Sequence, residues 1–106
     1  MTTPEERLTD FAGRVVVVTG GSRGLGRAMV EAFARCGADV VIASRKLDAC
    51  QALASEVAAA TGRRALPVAC HVGDWDQCDA LTEAVYDEFG RCDVLVNNAG
   101  SSPLYP

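Results

Sequence analysis

Apolar residues along the chain form two alternating patterns: short unbroken runs, and longer stretches in which they recur every three or four positions. The short runs occupy residues 15–19, 38–43, 64–70 and 92–96. The first two, VVVVT and ADVVIA, are rich in β-branched residues and lack apolar and polar alternation. Such runs are typical of strands covered on both faces of a parallel sheet. The pattern therefore predicts four strands.

Three stretches between these runs have the periodicity of amphipathic helices. Their predicted inward faces consist of Leu25, Ala28, Met29, Ala32, Phe33 and Cys36 in the first, Leu47, Cys50, Ala54, Val57 and Ala58 in the second, and Cys78, Leu81, Val85 and Phe89 in the third. Glycines at positions 37, 62 and 90 follow the stretches and are expected to end the helices. In DWDQ, Asp74 can cap the third helix while Gln77 reaches back to complete a capping box.

The order of these elements predicts an α/β fold. Strands that alternate with helices over short connections build a parallel sheet with helices on its faces. We expect a Rossmann-like, three-layer arrangement of four strands and three helices. Pro67 removes one hydrogen-bond donor from the third strand, which favours a place at an edge of the sheet. Residues 1–12 are assigned to an N-terminal arm.

Composition and charge exclude several classes of function. The chain has 106 residues and a net charge of −4, whereas general nucleic-acid binders need a basic face. The longest apolar runs have about five residues, far fewer than the ~20 that cross a bilayer. The N-terminus lacks the pattern of a secretory signal, and the odd number of cysteines shows no metal-ligand spacing. We expect a cytoplasmic protein without a metal site and without nucleic-acid or membrane partners.

The first strand runs directly into a glycine-rich turn that opens the first helix. Glycines at positions 20, 24 and 26 allow backbone conformations that a side chain would block, and they let a phosphate approach the main chain. The helix N-terminus that follows favours a bound anion. The spacing is neither GxGxxG nor that of a P-loop. Two interpretations remain: a nucleotide-phosphate site, which the position of the turn favours, and a tight turn without a ligand.

Two motifs resemble those of the short-chain dehydrogenases/reductases. Residues 19–26, TGGSRGLG, match the TGxxxGxG motif of that family, and residues 97–100 match its NNAG motif. The resemblance implies that residues 13–106 form a dinucleotide-binding Rossmann segment, with NAD or NADP at the carboxyl ends of the strands. The cofactor-binding residues that it implies around the two motifs are Gly20, Ser22, Arg23, Gly24, Leu25, Gly26, Asn98, Ala99 and Gly100.

The end of the second strand bears on the choice of dinucleotide. A carboxylate there would bind the ribose hydroxyls of NAD and repel the extra phosphate of NADP. This chain instead has Ser44, Arg45 and Lys46, and a further cation, Arg23, lies in the glycine turn. The family's NADP-binding members look similar at both places. We expect NADP(H) over NAD(H), with Arg23 and Arg45 on the 2′-phosphate and Ser44 donating a hydrogen bond; the alternative is that the cations are solvated charges at a helix end.

One position departs from the family pattern. Members usually carry an aspartate just after the third strand, where it contacts the adenine, and the HVGD segment places His71 there. His71 could bond the adenine amino group through a neutral ring nitrogen, stack on the base, or be an ordinary surface histidine. The backbone of Val72 is a more secure adenine contact, because it does not depend on the identity of a side chain.

The catalytic tyrosine, lysine and serine that the resemblance implies are not found. A lysine should follow the tyrosine by four residues, but Gly90 stands at that distance from Tyr86, and Tyr105 lies too near the end. We expect a truncated, inactive cofactor half of an NAD(P)-dependent oxidoreductase, with its fold incomplete and its fourth strand at an edge. The complete enzyme would pass hydride between nicotinamide and a carbonyl or alcohol substrate, as a homo-oligomer. The alternatives are a non-catalytic dinucleotide-binding or sensor module and a non-functional gene fragment.

Overall fold

A computed structural model describes residues 10–98, which form an alternating series of strands and helices. The elements are β1 (Val15–Thr19), α1 (Gly24–Arg35), β2 (Asp39–Ser44), α2 (Leu47–Thr61), β3 (Ala65–Ala69), α3 (Trp75–Phe89) and β4 (Val94–Asn97). These are the four strands and three helices that the hydrophobic pattern predicts, and the Rossmann-like α/β class is confirmed. Within the described range, no helix has both the length and the apolar character needed to cross a lipid bilayer.

The strands form one parallel sheet in the order β3-β2-β1-β4. β3 lies at one edge, as Pro67 predicts, and Pro67 faces Ile42 of β2 in the register. β4 forms the other edge of the described sheet, where Leu95 is 62% exposed. β1 therefore lies inside the sheet, with β2 and β3 on one side of it and β4 on the other.

Both faces of the central strands are covered, which explains their unbroken apolar runs. Successive side chains of a strand point to opposite faces. On one face, Val16, Val18, Val40 and Ile42 pack against α1 and α2. On the other face, Val15, Val17, Val41 and Ala43 pack against α3. Every residue of β1 is buried, so each valine of the run contributes to one of two cores.

The glycine turn between β1 and α1 depends on close backbone packing. A Cβ atom added to Gly26 would lie 2.0 Å from the carbonyl oxygen of Gly20 and 2.9 Å from Nδ2 of Asn98. Gly20 and Gly24 have φ angles of 65° and 59°, in the left-handed region that favours glycine. The Gly20 N–H donates to the carbonyl of Ala43 at 2.7 Å, which joins the turn to the end of β2.

This packing also sets the rotation of α1, and most of the predicted inward face of this helix is wrong, although Phe33 packs half-buried against the core. The buried residues are Gly26, Val30 and Ala34, whereas Leu25 is 69% exposed and Ala28 is also exposed. Because Gly26 must lie under the turn, the residues four and eight positions later share its face. In α2, the predicted Cys50, Ala54 and Val57 are buried, whereas the predicted Leu47 and Ala58 are exposed and Leu53 is buried in addition. The predicted face of α3 is confirmed.

The helix ends agree with most of the predicted signals. Gly62 and Gly90 cap α2 and α3 in the left-handed conformation. The Asp74 carboxylate accepts from the Gln77 N–H at 3.2 Å, which confirms the cap. The Gln77 Oε1 atom, however, accepts from the His71 N–H at 2.8 Å, because the Asp74 N–H already donates to the His71 carbonyl. Gln77 does reach back, because its Nε2 donates to the Asp74 carboxylate at 3.3 Å, but the reciprocal bond to the Asp74 N–H is not formed. Gln77 also ties the preceding loop to α3.

Asp93 connects the starts of β4 and β1. Its Oδ2 accepts from the Val15 N–H at 2.8 Å, and its own N–H donates to the Val15 carbonyl at 2.9 Å. The Arg91 guanidinium donates to Oδ1 at 2.6 Å. Hydrogen bonding from Arg91, and then from the Val15 N–H, lowers the pKa of Asp93 below its ordinary value.

We predict that Asp93→Asn lowers the free energy of unfolding at neutral pH and that this effect fades in acid. A carboxyl group whose pKa is lowered by folding stabilises the protein above its unfolded pKa, and this stability is lost as the pH falls through the folded pKa. The difference from wild type should therefore shrink below about pH 4. Urea unfolding between about pH 7 and pH 3 measures it, with Asp79→Asn on the exposed side of α3 as control. An equal difference at all pH values would contradict the assignment.

We also predict that Gly26→Ala is more destabilising than Gly24→Asn. The alanine Cβ would overlap a backbone carbonyl oxygen and force the turn and helix apart, with an expected loss of about 1–3 kcal/mol. At Gly24 an added Cβ meets nothing within 4 Å, and asparagine tolerates its positive φ. The free energy of unfolding from urea titrations compares the two variants. Equal losses would contradict the packing constraint at Gly26.

Candidate functional site

The carboxyl ends of the strands open on a cleft of about 750 Å³. Parallel strands end at the same edge of a sheet, so residues far apart in the sequence meet there. The cleft is lined by Gly20, Ser22, Arg23, Gly24, Ser44, Arg45, Lys46, Ala49, Cys70, His71, Val72 and Asn98. Apart from Ala49 and Cys70, each of these belongs to the set that the sequence predicts.

The glycine turn and the start of α1 form one wall of this cleft. Arg23 precedes the helix in an extended conformation, and its side chain is exposed. The first turn of α1 contains no acidic residue, so no carboxylate of that turn offsets the positive end of the helix. Two predicted residues have other positions: Leu25 projects into solvent, and Gly26 is buried beneath the turn. Gly26 therefore does not line the cleft but packs beneath the turn that does.

Ser44 closes the turn between β2 and α2. Its Oγ accepts from the Lys46 N–H at 3.1 Å and lies 3.4 Å from the Lys46 carbonyl oxygen. It also lies 3.1 Å from Sγ of Cys50. The hydroxyl proton can therefore reach a ligand only by leaving these partners. The same turn leaves the side chains of Arg45 and Lys46 exposed at the cleft.

The cations at the cleft differ from others nearby in their lack of acidic partners. Within residues 10–98, Arg23, Arg45 and Lys46 form no ion pair with a carboxylate. Arg27, one turn further along α1, is held by Glu56 at 2.6 Å and also pairs with Glu31. The cleft is thus locally positive in a chain whose net charge is −4.

The residues after β3 form the opposite end of the cleft. His71 is exposed, and its Nδ1 accepts from the Gly73 N–H at 3.2 Å. The Val72 carbonyl accepts from the Cys78 thiol at 3.5 Å. Cys70 is buried at the base of this end, and burial, reinforced by the adjacent Cys78, raises the pKa of its thiol. Cys70 thus lines the cleft as a neutral thiol.

Asn98, which follows β4, braces the glycine turn. Its Nδ2 donates to the Gly20 carbonyl at 3.3 Å, and its N–H donates to Oγ1 of Thr19 at 3.0 Å. The Thr19 hydroxyl also lies 3.1 Å from Oδ1 of Asn97. These bonds join the ends of β1 and β4. Ala99 and Gly100, which complete the NNAG motif, lie outside the described residues.

Sequence reasoning missed two residues that line the cleft, Cys70 and Ala49, and one that supports it, Thr19. Thr19 is buried and connects the two motifs, and its place as the last residue of β1 was the available signal. Cys70 could have been found because it directly follows a strand of a parallel sheet. Ala49 lines the cleft from the first turn of α2, and no motif in the sequence marks it.

Comparison with known proteins identifies a family. The profile described as short chain dehydrogenase matches residues 14–106. The short chain dehydrogenase pigC of Monascus ruber is 47% identical over 97 residues, which cover 86% of this chain and 32% of that protein. A peroxisomal 2,4-dienoyl-CoA reductase of Danio rerio is 39% identical over 96 residues, covering 91% of this chain and 32% of the reductase. The chain thus spans about a third of the length of these curated relatives.

Solved structures agree with these matches. L-Sorbose reductase from Gluconobacter frateurii, solved with NADPH and L-sorbose, superposes with a TM-score of 0.84 at 39% identity, over 89% of this chain and 36% of the reductase. A metagenomic short-chain oxidoreductase solved with NADP gives a TM-score of 0.80 at 42% identity, over 86% of this chain and 41% of the oxidoreductase. The family profile covers nearly the whole chain, and the fold of the described residues agrees with it. The chain therefore belongs to the short-chain dehydrogenase/reductase family.

Proposed function

We propose that this chain is the NADP(H)-binding part of an oxidoreductase that transfers hydride between nicotinamide and a carbonyl or alcohol substrate. The observation that carries the proposal is the positive cleft at the carboxyl ends of the strands, where Arg23, Arg45 and Lys46 have no carboxylate partner within residues 10–98. Two solved family members contain NADPH or NADP, which supports the same cofactor for this chain.

The glycine turn suits the pyrophosphate of a dinucleotide. Gly20 and Gly24 bear no side chains, so a phosphate can approach the backbone, and the positive end of α1 attracts it. Gly26 and Asn98 would act indirectly, since they hold the turn in shape. Ser22 lines the cleft within the same turn. We also assign Leu25, Ala99 and Gly100 to the cofactor site on the resemblance of their motifs.

The end of β2 suits the 2′-phosphate that distinguishes NADP from NAD. A phosphate there would meet Arg23, Arg45 and Lys46, and none of the described residues that line the cleft is acidic. Two opposite unit charges about 4 Å apart near a surface attract by roughly 4 kcal/mol before desolvation. Even a fraction of this energy would give a large preference for NADP over NAD, because about 1.4 kcal/mol corresponds to a tenfold change in affinity.

The bound cofactor would supply the hydride, and this chain would bind and orient it. Residues 1–106 contain no tyrosine followed four positions later by lysine, so we propose that the chain does not complete the reaction alone. In the complete enzyme, carbonyl chemistry and homo-oligomer formation would depend on further residues. The five cysteines are all free thiols, which supports a cytoplasmic location.

Isothermal titration calorimetry tests the choice of cofactor. We expect NADPH to bind at least about tenfold more tightly than NADH, because the 2′-phosphate meets cations that have no carboxylate partner within residues 10–98. The fragment 2′,5′-ADP should compete with NADPH, whereas 5′-AMP should compete weakly, which isolates the phosphate from the nicotinamide. Equal or tighter binding of NADH would overturn the assignment of NADP(H).

The substitution Arg45→Asp tests the role of the cation at the end of β2. It should weaken NADPH binding by about one to two orders of magnitude, since attraction is replaced by repulsion, and leave NADH affinity unchanged or improved. Arg63→Asp makes the same charge change at an exposed residue between α2 and β3, outside the cleft lining, and serves as the matched control. Equal losses of NADPH affinity in both variants would point to net charge alone.

A further inference from the structure

The side chain of His71 is held in a defined orientation although it is exposed. Its Nδ1 accepts from the Gly73 N–H at 3.2 Å, and its backbone N–H donates to Gln77 at 2.8 Å. The ring lies against Gly73, where an added Cβ would come within 3.1 Å of the His71 Cε1 atom. The absence of a side chain at position 73 therefore lets the imidazole fold back over its own loop.

This orientation decides which hydrogen bond His71 can offer. A neutral imidazole has one donor nitrogen and one acceptor nitrogen. Because Nδ1 is the acceptor of the Gly73 N–H, the proton lies on Nε2. The side chain can therefore donate to a ligand from Nε2 but has no free acceptor for it. The aspartate that the family usually carries at this position has the opposite character, since an ionised carboxylate only accepts.

The order of the strand ends indicates which part of a dinucleotide reaches His71. Across the sheet, the loop after β3 comes first, then the cations after β2, then the glycine turn after β1, and then Asn98 after β4. With the pyrophosphate at the glycine turn and the 2′-phosphate of the adenosine ribose at the end of β2, the base attached to that ribose extends toward β3. His71 and Val72 line the cleft there.

We propose that His71 recognises the purine base as a hydrogen-bond donor through Nε2–H, and that the site accepts a 6-oxopurine in place of adenine. This inference rests on the proposed NADP(H) function. The adenine amino group is a donor, so a donor-only side chain cannot pair with it and must use a ring nitrogen of the base. Hypoxanthine replaces the amino group with a carbonyl oxygen, which accepts hydrogen bonds, and it also keeps the N7 acceptor.

The test compares NADPH with its hypoxanthine analogue, reduced nicotinamide hypoxanthine dinucleotide phosphate, by calorimetry at pH 8. We expect the wild-type dissociation constants to agree within about threefold, because a donor finds an acceptor on either base. His71→Asp should favour NADPH by about tenfold or more, since its carboxylate pairs with the amino group and repels the 6-oxo oxygen. His71→Phe keeps a ring for stacking but lacks the donor, and should weaken both ligands by about two- to tenfold.

Each contrary result has a distinct meaning. A wild-type preference for NADPH of more than about tenfold would overturn the proposed acceptance of a 6-oxopurine, because the site would then have to pair with the amino group or the unprotonated N1 of adenine. Unchanged affinities in His71→Phe would overturn the hydrogen-bond assignment and indicate that the ring stacks on the base. Failure of wild type to bind NADPH would overturn the proposed function itself and this inference with it. Because His71 is exposed and outside both cores, the substitutions leave the packing of the sheet intact.

Discussion

The close approach of Gly26 to the Gly20 carbonyl is the contact on which the rest of the structure depends. A side chain at Gly26 would lie 2.0 Å from that oxygen, so only glycine lets α1 begin directly against the end of β1. Because of this contact, Val30 and Ala34 face the core and the N-terminus of α1 faces the cleft. Asn98, which follows β4, donates a hydrogen bond to the Gly20 carbonyl of the turn. The two family motifs are therefore in direct contact.

The electrostatics of the chain follow from how its charges are paired. The chain is acidic overall, and its carboxylates pair with several arginines away from the cleft, among them Arg27, Arg64 and Arg91. Within residues 10–98, the cations at the cleft have no such partners. A chain that is acidic overall thereby presents a locally positive cleft. The placement of its charges, and not its net charge, gives the cleft this character.

Much of the fold could be predicted because the relevant signals are local. Unbroken valine runs indicate strands covered on both faces, and Gly62 and Gly90 end helices through a left-handed conformation that their own backbone supplies. The buried face of α1 could not be predicted in this way. Its periodicity allows several rotations, and the choice among them comes from Gly26, which contributes no apolar side chain to the pattern. In the same way, Gln77 bonds His71 because the fold of the loop brings that N–H within reach.

By itself, the sequence determined the order of the elements, the edge position of the Pro67 strand and most residues of the candidate site. Those conclusions depend on motif spacing and on the general rule that parallel strands end at one edge. Only the tertiary structure decided the roles within the site: Gly26 and Asn98 shape the turn, the Ser44 hydroxyl closes its own loop, and His71 is left as a donor. These roles are set by hydrogen-bond partners that side chains find only after the chain has folded, and no spacing in the sequence records them.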